Sequence, residues 1–155
     1  MYTSTTGLEH YSVSSEDQQA MFCIADWITN HRRSVKKIRQ LAGTEECYLL
    51  VIKEIDRLGS QRGKARYFGV EATLTLVEWL ETLEYFHWQC AFCDERPFQV
   101  MSHVTPLPVG GTTVENCMPS CYPCIRQKRR DHPAVVAYLA HRKRRGQGEA
   151  EATVS

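Results

Sequence analysis

Apolar residues recur at intervals of three and four through the first half of the chain, and that spacing predicts helices. Ser14-Ser15-Glu16-Asp17 offers an N-cap with a carboxylate three residues on, a variant of the capping box. Met21, Ile24, Ala25 and Ile28 then form a stripe, with Trp27 alongside, and this first helix is expected to end near Asn30. The basic segment 31–39 can continue as a helix, either as a solvated face or as a phosphate contact. Thr44-Glu45-Glu46 opens a second helix, with its acids where the helix dipole favours them. Its stripe is Tyr48, Val51, Ile52, Ile55 and Leu58, and Gly59 is the expected stop. Residues 60–69 then read as a loop in which Arg62, Lys64 and Arg66 accompany Tyr67 and Phe68. Such a loop is either a grip on a single nucleic-acid strand or a linker with two aromatics anchored in the core. Thr75-Leu76-Val77-Glu78 is a capping box for a third helix running to about Phe86. Leu76, Val77, Leu80 and Leu83 should face inward, with Trp79 on the flank.

After Trp88 the period changes. Residues 98–104 alternate as a strand does, and Pro106 and Pro108 end the run. Gly110-Gly111 permits a tight turn, Thr112-Thr113-Val114 can form a short return strand, and Pro119 leads to a helix beginning around Cys121. The expected fold class is α+β, mostly α, with a helical region over 14–87 and a strand–loop–strand–helix module over 88–131. A C-terminal basic helix is expected over 132–145, with disordered ends at 1–13 and 146–155.

Composition narrows the class without naming a function. At 155 residues, 43% apolar and 24% charged, the chain matches an ordinary globular protein. No run of about 18 apolar residues offers a membrane span, and the N-terminus lacks the basic and apolar regions of a signal peptide. A cytoplasmic location is the resulting expectation. The net charge of +1 is unevenly spread: residues 121–155 carry eight Lys/Arg against three Asp/Glu, so the rest is acidic. A nucleic-acid-facing helix and a solvated basic tail are both compatible with that excess.

Seven cysteines, an odd number, argue against a disulfide framework. Four of them form two C-x-x-C pairs, Cys90/Cys93 and Cys121/Cys124, with 27 residues between the pairs. Each pair can fill half of a tetrahedral Zn²⁺ shell, and together they specify a structural four-cysteine site. A hairpin and one helix bury little apolar surface, so a metal is a physical need of such a module. Cys23, Cys47 and Cys117 lie in apolar stretches and are expected as small buried hydrophobes.

His103-Val104-Thr105-Pro106, Gly110-Gly111, Glu115-Asn116, Cys121-x-x-Cys124 and Lys128 follow one another in an order that resembles the HNH endonuclease family. The helix over 74–80, running into Cys90 and Cys93, is similar to the lead-in of phage-type and bacterial members. The resemblance covers about residues 74–131 and implies a zinc-containing ββα-metal fold. It implies His103 as general base on a phosphodiester and Asn116 as a loop support that helps orient the histidine. It further implies a catalytic divalent ion (Mg²⁺, Mn²⁺ or Ni²⁺), distinct from the zinc, and nucleic acid, DNA rather than RNA, as partner. Arg126, Lys128, Arg129 and Arg130 would be the nucleic-acid contacts.

Two positions depart from the family pattern. Ser102 and Ile125 stand where the family places its metal ligands, and neither offers a carboxylate or imidazole. Three readings follow: a nuclease with unusual ligands, a degenerate module that binds nucleic acid without cutting, and a zinc-stabilised scaffold. In the third, the helical region would dock a protein partner.

Overall fold

The computed structural model describes residues 13–127 and 132–154, with side chains through Arg144. Residues 1–12, within the stretch expected to be disordered, and Lys128, Arg129 and Arg130 lie outside the described residues. Val13, the last residue of that expected stretch, is buried in the core.

The fold is mostly helical with one small antiparallel sheet. Helix α1 (Ser15–Asn30) begins where the Ser14 hydroxyl accepts the Asp17 amide. The chain then breaks at 31–34, and α2 (Val35–Ala42) restarts with Ser34 accepting from Lys37. The basic segment is therefore not one continuous helix. Gly43, at φ 78°, closes α2 in the left-handed region.

Helix α3 (Glu45–Tyr67) corrects the expected stop at Gly59. A glycine inside a helix costs only about 1 kcal/mol, and burial of Leu58 on one side and Ala65 on the other offsets it. The stop comes at Gly69 (φ 70°), where the Val70 amide reaches back to the Ala65 carbonyl. Arg62, Lys64 and Arg66 thus lie on helix rather than loop. Tyr67 and Phe68 are exposed, which removes the reading that anchors them in the core.

Helix α4 (Leu76–Tyr85) carries the capping box of Thr75 and Glu78 in full. Trp79, expected on the flank, is completely buried and donates its indole N–H to Glu54 of α3 at 3.0 Å. Glu54 is itself buried and pairs with Arg57, whose guanidinium lies over the Phe98 ring. A sequence stripe does not reveal that a buried carboxylate waits for the indole.

Strands β1 (Val100–His103) and β2 (Cys117–Ser120) form the sheet, with Val100 opposite Ser120 and His103 opposite Cys117. The return strand is thus not Thr112-Thr113-Val114. Thr112 instead bridges Ala72, its carbonyl accepting the Thr73 and Leu74 amides while its own amide donates to Glu71. Pro119 belongs to β2 rather than to the helix approach. The short α5 (Tyr122–Arg126) follows, then α6 (Pro133–Val154). Helix α6 runs past residue 145, where a disordered tail was expected, on the helix-favouring residues Glu149, Ala150, Glu151 and Ala152.

Two apolar clusters result. Helices α1 to α4 enclose the larger one, which also takes Met101 and Cys117 from the hairpin. The smaller gathers Phe86, Phe92, Met118, Val135 and Tyr138 around Cys90, Cys121 and Cys124. Tyr138 fixes α6 to α4: its hydroxyl accepts from Arg142 and donates to Thr82, whose own hydroxyl bonds the Glu78 carbonyl. Arg142 also pairs with Glu81 at 3.1 Å. Among the described residues no helix is long and apolar enough to cross a membrane.

Candidate metal centre and the histidine beside it

The first cysteine pair is delivered by a strained turn. His87 and Trp88 both adopt positive φ (56° and 61°), costly for side chains of that size. The turn reverses the chain after α4 and lets the Ala91 amide bond the Pro119 carbonyl of β2. Cys90 and Cys93 then form a knuckle closed by the Asp94 amide on the Cys90 carbonyl. The second pair needs no such strain, because Cys121 is the residue before α5 and Cys124 lies one helical turn on.

These elements bring the four sulfurs within 4.8 Å of one another. Cys93 Sγ and Cys121 Sγ are 3.8 Å apart, the edge of a tetrahedron with Zn–S bonds of about 2.3 Å. The Phe92 amide points at Cys90 Sγ from 3.4 Å, a donor suited to a thiolate. The residues present therefore fit a zinc ion, which when bound would supply a closed four-sulfur shell tying the knuckle to β2 and α5. Burial opposes thiolate at Cys121, yet hydrogen bonds from the Cys124 amide and the neighbouring thiols bring it below the usual cysteine range. Burial raises Cys90, with only partial relief from the backbone amides around it.

The remaining cysteines behave differently. Cys117 and Cys47 are buried, and desolvation pushes their thiols up to about 12 and about 11. Both are inert hydrophobes, as expected. Cys23 is exposed on α1, contrary to expectation, because it falls outside the Met21–Ile24–Ala25 stripe.

Residues opposite one another on an antiparallel pair share a face. His103 opposes Cys117, and Ser102 opposes Met118. His103 therefore faces the helical cluster, while Ser102 faces the cysteine cluster. His103 is half-buried, with Nε2 at 3.0 Å from the Thr112 hydroxyl. That hydroxyl spends its proton on the Gln61 carbonyl of α3, so it must accept from the imidazole. The assigned tautomer is consequently Nε2–H, and Nδ1 keeps the only basic lone pair. Burial, helped by the charge of Lys64, holds the imidazole below the ordinary histidine value.

Asn116 is a staple for the loop. Its Oδ1 accepts the Thr105 amide at 2.7 Å, and its Nδ2 donates to the carbonyls of Thr105 (2.9 Å) and Gly111 (2.7 Å). Its described hydrogen bonds go to the loop backbone, so any influence on His103 is indirect. The glycine pair is required by close approach: a Cβ on Gly110 would strike the Thr105 carbonyl, and one on Gly111 would lie 2.5 Å from the Glu71 carbonyl. A cleft of about 590 Å³ opens beside this loop, lined by Gly69, Thr105, Asn116, Glu71 and Glu115 among others, but not by His103.

Ile125 and Arg126 are exposed on α5. Among the described residues, the four cysteines are the sole cluster of three or more His, Cys, Asp or Glu side chains able to hold a metal. Sequence reasoning missed Thr112 and Lys64 as partners of His103, since both depend on α3 extending beyond Gly59. No protein family, no curated protein and no solved structure matches this chain.

Proposed function

We propose that the chain is a zinc-stabilised, HNH-like module that binds DNA without cutting it. The observation that carries this reading is the pair of residues at the family's ligand positions. His103 does not separate the readings: Thr112 holds its Nε2–H, and Nδ1 keeps the lone pair a base would use. Ser102 and Ile125, where the family pattern calls for ligands, give a hard divalent ion no carboxylate anchor. What the arrangement retains is scaffold: the cysteine cluster, the Asn116 staple and Arg126 at the end of α5.

The neutral state of His103 also suits the second reading, a nuclease with unusual ligands, because a base must be unprotonated at working pH. Plasmid incubation with Mg²⁺, Mn²⁺ or Ni²⁺, alongside a gel shift, separates the two. Binding with no nicking in any metal is expected. Metal-dependent nicking that disappears in His103→Ala would overturn the non-cutting reading. Failure to shift DNA at all would overturn both and favour the protein scaffold.

A further inference from the structure

Resting on the DNA-binding reading, we infer that the C-terminal end of α3 is a platform for single-stranded DNA. Tyr67 is 86% exposed and Phe68 48% exposed, although their α3 neighbours Leu58 and Ala65 are buried. The two rings meet edge to face, 5.3 Å between centroids, and among the described residues neither stacks on any other ring. By contrast Tyr85, also exposed, packs against Phe86, Tyr138 and His141. Leaving two adjacent aromatic faces in water forgoes burial that a flat partner would restore.

Charge selects that partner. Lys64 and Arg66 are exposed on the same final turns of α3, and neither pairs with a carboxylate among the described residues. Arg62, one turn earlier, is part-buried, and that burial, with the repulsion of Arg66, disfavours its charge; it donates to the Leu74 carbonyl. Unneutralised cations beside open aromatic faces suit a chain of phosphates carrying flat bases. A duplex hides its base faces in its own stack, so only an unpaired strand can use both features. Glu71 and Glu115 line the adjoining cleft with Gly69 and Val70. Their charge repels phosphate from the Asn116 loop, so the strand follows the helix end and stays out of the cleft.

The test is fluorescence anisotropy of the full chain with a labelled oligo-dT of about 20 nucleotides, longer than the roughly 4–16 nucleotides a small single-strand site covers. A duplex of the same length and an oligo-U are the comparators. Tyr67→Ala/Phe68→Ala should weaken oligo-dT binding about tenfold or more and change duplex binding by less than about twofold. Tyr67→Leu/Phe68→Leu keeps apolar bulk but lacks the aromatic face, and it should lose oligo-dT as well. Lys64→Gln/Arg66→Gln should lower the slope of log affinity against log salt by about 1.4 for oligo-dT. Zinc content and melting temperature verify that each variant is folded. Unchanged oligo-dT affinity in both aromatic variants, an equal loss for duplex, or tighter binding of oligo-U by the wild type would each overturn the platform while leaving the DNA-binding reading intact. A wild type that binds no nucleic acid defeats that reading itself, and the platform with it.

Discussion

The helical region and the cysteine module solve the same problem by different means. In the first, Ile24, Ile38, Val51, Leu58, Trp79, Leu80 and Leu83 come from four helices and are almost wholly removed from water. Each helix contributes one face, and burial suffices. In the second, two four-residue strands and a five-residue helix have only a few large side chains to share. There the four sulfurs stand in for a core that the segment is too short to build. The hairpin is the wall between them: Met101 and Cys117 face the helices, and Met118 faces the cysteines. The cluster able to hold a metal sits where burial runs out, and the region that carries it leans on the region that does not.

Breaking the metal shell should have the largest effect. Cys121→Ser removes a buried thiol from the centre of the cluster and should abolish stoichiometric zinc. Zinc binding in small Cys-rich modules is worth on the order of 10 kcal/mol, so the module should unfold while α1 to α4 keep most of their helical circular dichroism. Metal analysis and amide exchange measure the two halves separately. Full zinc content in the variant would show that the cysteines are not the ligands.

The converse cut is Trp79→Ala. It opens a cavity in the helical cluster and takes the indole donor from buried Glu54. A loss of about 3–5 kcal/mol in unfolding free energy is expected, with zinc stoichiometry unchanged. Loss of the zinc along with the stability would mean that the two regions form a single cooperative unit, and the contrast between them would fail.

The smallest effect concerns the wall itself. Folded His103 titrates below the usual 6.5, so as pH falls the unfolded chain takes up a proton first. The stability due to neutral His103 is full above about pH 6.5 and is lost as pH drops through its folded value. His103→Gln should flatten that acid-side slope in denaturant melts and leave alkaline stability nearly unchanged. Nitrogen-15 NMR of the wild type should show Nε2–H and a midpoint below 6.5. An Nδ1–H tautomer would mean that Thr112 donates to Nε2 rather than to the Gln61 carbonyl, and the assigned hydrogen-bond chain would fail.

Local chemistry made much of this legible in advance. The Ser14 cap, the Thr75/Glu78 box and the two C-x-x-C pairs need only neighbours a few residues away, and each is formed as its residues suggest. Gly59 shows the limit of such reasoning: a glycine stops a helix only where the following residues gain nothing by continuing, and here Ala65 gains burial. The return strand was misplaced for a similar reason. Thr112 and Met118 both lie in plausible β-forming stretches, and the choice fell to the long-range partners Ala72 and Ser102.

By itself the sequence determined the cysteine set, the helical caps and the mostly helical class, because spacing within a few residues fixes them. Tertiary structure alone decided which way His103 points, what holds its Nε2, and that Tyr67 and Phe68 remain in water. Those outcomes depend on strand register and on how far α3 runs before Gly69 turns it, and both are settled by packing between segments distant in the chain.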